Sequence, residues 1–192
     1  MISPVAFANQ DAIVTSFVQS PNLAMSGTAG PTHPGQWLKV DIHYGTTDVV
    51  TRDHPFVDSV QFKIWIEGFD LYAKNAPPGS KGVSVALTGD VTYVNVPMNR
   101  DIYASFYVHP DVLARYSTDR GYTDFDRKFN VHVEAYVGGT LMDLIDKRKE
   151  QNAKWFEPLV QVPNLVLKQN ASPFVVTDVD RYPMIKPEEK SQ

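Results

Sequence analysis

Two short patterns place ligand-type side chains at the spacing that lets a strand present them together. In Asp41-x-His43 and in His132-x-Glu134 the two residues are one position apart, so an extended backbone points both to the same side. Were the two strands neighbours, their imidazoles and carboxylates would form a donor set suited to zinc. The outer phase of a half-buried strand carries polar residues in any case, and that alternation accounts for all four, so the metal reading is disfavoured. His132-x-Glu134 lacks the paired cysteines of a zinc deaminase. Asp178-x-Asp180 has no glycine-punctuated acidic loop around it to make a calcium site. Glu67, Asp90 and Glu134 are candidate acid–base carboxylates by position on or beside strands, but glycoside hydrolysis needs two such groups within about 10 Å across a cleft.

Other chemistry is excluded by composition. The 192 residues include no cysteine, which removes thiolate nucleophiles, disulfides and zinc-thiolate or iron–sulfur sites. Gly27-Thr28-Ala29-Gly30-Pro31 has no lysine and no strand-to-helix setting, so it is not a phosphate loop. No Gly-x-Ser-x-Gly elbow is present. A net charge of −4 argues against nucleic acid and anionic membrane as partners. No apolar run reaches the ~18–20 residues of a membrane-spanning helix. The expectation is a protein with no cofactor and no enzymatic activity.

What stands out is aromatic. Trp37 and Trp65 fall on the polar phase of successive predicted strands, and Lys63 shares that phase beside Trp65. Together they form a candidate surface for a ligand or partner, glycan rings included, since indole offers a flat apolar face with one donor. A loop or short helix folded over both tryptophans would instead make a second small core, which is the favoured reading because bare apolar patches are rare on monomers.

These residues are positioned by strands. From Trp37 to Tyr44, Leu38, Val40, Ile42 and Tyr44 alternate with Trp37, Lys39, Asp41 and His43. Val60, Phe62, Ile64 and Ile66 alternate in the same way with Gln61, Lys63, Trp65 and Glu67. Such a period of two marks antiparallel sheet with one face buried. Further strands are predicted at 13–18, 83–87, 91–96, 102–108, 129–137, 140–145, 165–168 and 174–179. Gly89-Asp90 reads as a turn, and Gly138-Gly139 as a two-residue hairpin. Pro110–Tyr116 reads as a short helix with proline at its first position, and 146–155 as a second helix or a loop. The pattern is an all-β, immunoglobulin-like antiparallel sandwich of about nine strands with one or two short helices. One domain spans residues 11–183, between mobile ends at 1–10 and 184–192.

The stretch from Ala171 through Ser172-Pro173-Phe174 to Arg181-Tyr182-Pro183, with the strand series before it, resembles the immunoglobulin-like proteins encoded beside type IV pilus genes in verrucomicrobial gut bacteria. The resemblance implies a β-sandwich, an exported location at the periplasm or cell surface, and no catalytic residues. Ala6-Phe7-Ala8 has the small-x-small form of a signal-peptidase site, without the basic and apolar segments that precede one. The resulting expectation is a non-catalytic envelope protein, a binding or assembly module with envelope or pilus-apparatus partners. The alternative is a carbohydrate-binding module built on the strand-face aromatics.

Overall fold

In the computed structural model the described residues are 5–7, 12–19, 36–46, 55–70, 72–73, 82–98, 101–116, 130–147, 154–175, 177 and 182–187. The Gly27–Pro31 segment and the Asp178-x-Asp180 pair lie outside them. The strands are β1 (Val5–Phe7), β2 (Ile13–Gln19), β3 (Gln36–Thr46), β4 (Phe56–Asp70), β5 (Val83–Pro97), β6 (Asp101–Val108), β7 (Val131–Val137), β8 (Thr140–Asp146), β9 (Val160–Val162), β10 (Val166–Lys168) and β11 (Met184–Ile185), with helix α1 (Pro110–Tyr116) after β6. They form two sheets, an all-β sandwich of immunoglobulin-like type.

Sheet A has five strands in the order β1-β3-β6-β10, with β2 following β1 along the same edge of β3; sheet B has six in the order β11-β5-β4-β7-β8, with β9 also on β5. Every pairing is antiparallel except β5 with β9. The period-two pattern is the cause of the packing. Val40, Ile42 and Tyr44 of β3 and Ala104 and Phe106 of β6 meet Phe62, Ile64 and Ile66 of β4 and Val133 and Ala135 of β7, all with 0% exposure. Full burial of each large aliphatic or aromatic side chain contributes roughly 1.5–3 kcal/mol, which is why the inward phase fixes the sheets face to face. Helix α1 adds Leu113 and Tyr116 to this core. Gly138 and Gly139 take φ of 57° and 79° in the β7–β8 hairpin, the positive values a two-residue turn demands.

The structure departs from the sequence expectation in four places. Residues 5–7 and 184–185, assigned to mobile ends, are strands: β1 pairs with β3 and β11 with β5. Ala6-Phe7 thus belongs to a sandwich strand. Gly89-Asp90 is no turn but the middle of the 15-residue β5. A Cβ on Gly89 would lie 2.1 Å from the Val166 carbonyl oxygen, so glycine there answers a close crossing by β10. Residues 174–175, predicted as strand, form turns. Ser172 Oγ donates to Gln169 O (2.8 Å) and accepts from Phe174 N (3.2 Å), while Gln169 Nε2 donates to Thr177 O (2.7 Å), so local side-chain bonds take the place of a ladder. The 146–155 stretch, read as a helix or a loop, is non-helical in its described part: β8 ends at Asp146, and Lys154 and Trp155 begin a turn.

After residue 160 the chain crosses from sheet B through β10 in sheet A and back to β11 in sheet B. This crossing segment closes the β5–β6 side of the sandwich.

Candidate functional site

On the outer face of sheet B, β4 presents Gln61, Lys63 and Trp65. Across β5, Lys63 stands opposite Asp90; across β7, it stands opposite Glu134. Its ammonium sits over the Tyr136 ring, 4.6 Å from the centroid, a cation–π contact. The Tyr136 hydroxyl donates to Glu134, and that bond, aided by burial and the carboxylate charge, pushes the phenol up to about 12. Gln61 Nε2 reaches Asp90 Oδ2 only at 3.5 Å, and Asp90 is exposed. The far wall comes from β9 and the turn after it. Gln161 Nε2 donates to Phe156 O at 2.7 Å and Leu159 O at 3.1 Å, tying β9 to the preceding turn, and Asn164 adopts φ 63°, a left-handed conformation asparagine tolerates. Gln61, Lys63, Trp65, Asp90, Gln161 and Asn164 line an open cleft of about 300 Å³.

One end of this face is filled. Phe156 stacks on Trp65 at 4.4 Å and on His132 at 4.6 Å, and Trp155 meets Phe156 edge-on at 5.8 Å. Beneath them His132 is 1% exposed. Its Nδ1 lies 2.9 Å from Asp146 Oδ1 and its Nε2 3.4 Å from Glu134 Oε1, while Trp155 Nε1 donates to Asp146 Oδ1 at 3.3 Å. His132 is therefore an interior part of an aromatic pile, and Trp65 lends the cleft a wall, one of its faces being taken by Phe156.

The outer face of sheet A is sealed instead. Trp37, 6% exposed, packs with Tyr107 and Phe174, and meets Phe174 edge-on at 5.7 Å and His109 at 4.6 Å. Next to it Lys39 Nζ lies 2.9 Å from Asp41 Oδ2, and Ser105 Oγ bonds Asp41 and, at 3.0 Å, the Tyr182 hydroxyl. Burial pulls the Lys39 pKa down, but the Asp41 bond and charge outweigh it and hold the ammonium above the usual lysine range. Ser105 is wholly buried, and its N–H donates to Tyr93 Oη at 3.4 Å. A serine, carboxylate and lysine thus meet, tied to one another and to Tyr182 as a largely covered strut. His43 stacks on Tyr103 at 4.8 Å.

This arrangement corrects two expectations. Trp37 and Trp65 do not form one surface: β3 and β4 belong to different sheets, so the two rings lie on opposite outer faces, each packed under the C-terminal part of the chain. The packing reading holds, in the form of two small clusters. For the same reason the pairs Asp41/His43 and His132/Glu134 cannot converge. Among the described residues no group of three or more His, Cys, Asp or Glu side chains is placed to hold a metal ion. Lys63 and Trp65 do come together with other polar groups. Gln161 and Asn164 were not anticipated, because nothing in the sequence says that β9 lies beside β5. Gln61 was visible as the outward neighbour of Lys63.

The two sheet edges differ. β8 carries Asp143 and Asp146 and faces a register irregularity at Ala135/Tyr136, both of which discourage strand addition. β2 reads Ile-Val-Thr-Ser-Phe-Val-Gln, without a charge or proline, and pairs only with β3 among the described residues. The His43 N–H donates to Ala12 O at 2.8 Å, which sets the ladder phase. By alternation the N–H groups of Ile13, Thr15 and Phe17 point away from β3.

Comparison with known proteins fits this architecture. No curated protein matches the chain. Among solved structures, the crystal structure of a protein from Akkermansia muciniphila, a verrucomicrobial gut bacterium, superposes with a TM-score of 0.77 over 96% of this chain and 94% of that one, at 23% identity, a likeness of fold. A family model matches residues 6–189, from within β1 to beyond β11, and the chain belongs to that family.

Proposed function

We propose that this protein is a non-catalytic, exported binding module of the cell envelope, which joins a pilus- or secretion-type assembly by adding a partner's strand to β2. The observation that carries the reading is the edge of β2, which pairs with no second strand among the described residues: seven uncharged residues, Val14 among them 53% exposed, with outward N–H groups at positions 13, 15 and 17 and the Lys147 ammonium bonded to the Thr15 hydroxyl. Main-chain bonds along such an edge supply affinity, and side chains on alternate positions supply choice of partner. A non-catalytic role is supported by the fate of the reactive groups, since Ser105, Asp41 and Lys39 brace a covered face and His132 lies inside an aromatic pile. The resemblance to pilus-associated verrucomicrobial proteins supports the setting.

Fractionation of cells producing the protein, followed by affinity capture from envelope extracts, tests this. An envelope protein is expected to co-purify, and to be lost with Thr15→Pro, which deletes an outward donor while sparing the β2–β3 ladder, but retained with Thr15→Val, which loses only the hydroxyl that Lys147 bonds. Val14→Lys, which puts a charge on the exposed edge, should weaken capture as well. A cytosolic location, or capture that neither substitution disturbs, overturns the proposal.

A further inference from the structure

The cleft on sheet B lies on a different surface from β2 and has a chemistry of its own. We infer that it is a binding site for a neutral saccharide unit, held by Asp90, Gln61, Lys63 and Gln161 against the wall of Trp65. Its volume, about 300 Å³, is at the small end of ligand sites, which suits one or two sugar rings and not a folded partner.

Of the lining side chains, Gln61, Gln161 and Asn164 are amides, Asp90 is a carboxylate and Thr88 carries a hydroxyl. The Asp90 carboxylate offers paired acceptors and the Gln61 and Asn164 amides a donor beside an acceptor, at the spacing of vicinal hydroxyls, while Gln161, whose Nε2 is committed to Phe156 O and Leu159 O, offers its oxygen as an acceptor. Asp90 is exposed and its bond from Gln61 is long at 3.5 Å, so its oxygens have capacity for stronger donors. Charge sets the class of sugar. Lys63 is opposed in register by Asp90 on one side and Glu134 on the other, so one cation, seated over the Tyr136 ring, is flanked by strands that carry two carboxylates. A uronic, sialylated or sulfated sugar would bring a third negative charge into this setting, whereas a neutral ring brings none.

The site is tested by two-dimensional NMR of the isotope-labelled full chain. N-acetylglucosamine and galactose oligomers serve as neutral probes, with sialyllactose and oligogalacturonate as anionic ones. Saturable shifts at Lys63, Asp90 and Gln161 are expected with a neutral probe in the millimolar range, with binding about tenfold weaker in Asp90→Ala, the effect of losing one charge-assisted hydrogen bond. Lys63→Gln keeps the fold and should narrow the preference for neutral over anionic probes. No saturable response to either neutral series, equal affinity for the anionic ones, or binding unchanged by Asp90→Ala overturns the inference. The strand-addition reading is judged separately on the β2 variants, so failure of one leaves the other standing.

Discussion

The outer faces of the two sheets begin from the same sequence device, a tryptophan and a lysine two residues apart on the polar phase of a strand, and end differently. On sheet A, Trp37 and Lys39 are covered by the segment that carries Phe174 and Tyr182: the indole joins a small core, and the lysine is locked to Asp41. On sheet B, Trp65 is roofed by Phe156, but Lys63, one pleat further along, stays in an open cleft with Asp90. What separates them is where the returning chain lies down. Its turns at 169–175 cover the Trp37 end of the sheet A face, while on sheet B β9 and its flanking turns stop at the rim. Exposure of a strand-face lysine is thus a property of the crossing segment more than of the strand.

Changes that strip each face measure this difference. Trp37→Ala should destabilise by about 3–5 kcal/mol, the cost of emptying a buried aromatic site, and Trp65→Ala by less than half of that, as its ring is only partly buried. Denaturant unfolding of both variants checks the ratio, and equal losses would mean the two faces are covered alike. Gly89→Ala strikes the crossing itself. The added Cβ would meet the Val166 carbonyl at 2.1 Å, so a loss of about 2–3 kcal/mol is expected, with faster hydrogen exchange in β10 than in β3.

The smallest effect concerns pH. Lys39 is held above its ordinary 10.5, and burial raises the Tyr93 phenol above its ordinary 10.0, opposed by the Ser105 N–H and helped by Tyr182 and Asp41. Each raised group contributes stability that is complete below its unfolded value and is lost as pH climbs past it. The denaturation midpoint should therefore stay level as far as these groups go up to about pH 10 and decline above it. Lys39→Met should reduce that decline. Absorbance titration should find Tyr93, and Tyr44, which burial also raises, silent until the protein unfolds.

Much of the fold was legible because period-two alternation records a strand's own exposure. Leu38 to Tyr44 and Val60 to Ile66 point inward as read, and Gly138-Gly139 turns as read. Local reading failed where a residue answers to something distant. Gly89 looks like a turn glycine and is a crossing glycine. The 174–175 stretch has strand composition, yet Ser172 and Gln169 fold it into turns. Of the candidate surface, Lys63 and Trp65 were found from phase alone, whereas Gln161 and Asn164 reach the cleft by a parallel β5–β9 pairing that no local pattern announces.

By itself the sequence determined the class: an all-β sandwich, without thiol or phosphate-loop chemistry, with polar and aromatic residues on its outward phases. Alternation and composition are local quantities, and these conclusions depend on nothing else. Which strands share a sheet, which outer face is covered and which lysine stays open were decided by the tertiary structure. The physical reason is that each depends on contacts between residues far apart in sequence, where β10 can pass β5 only over a glycine and the chain beyond it seals one face while leaving a cleft on the other.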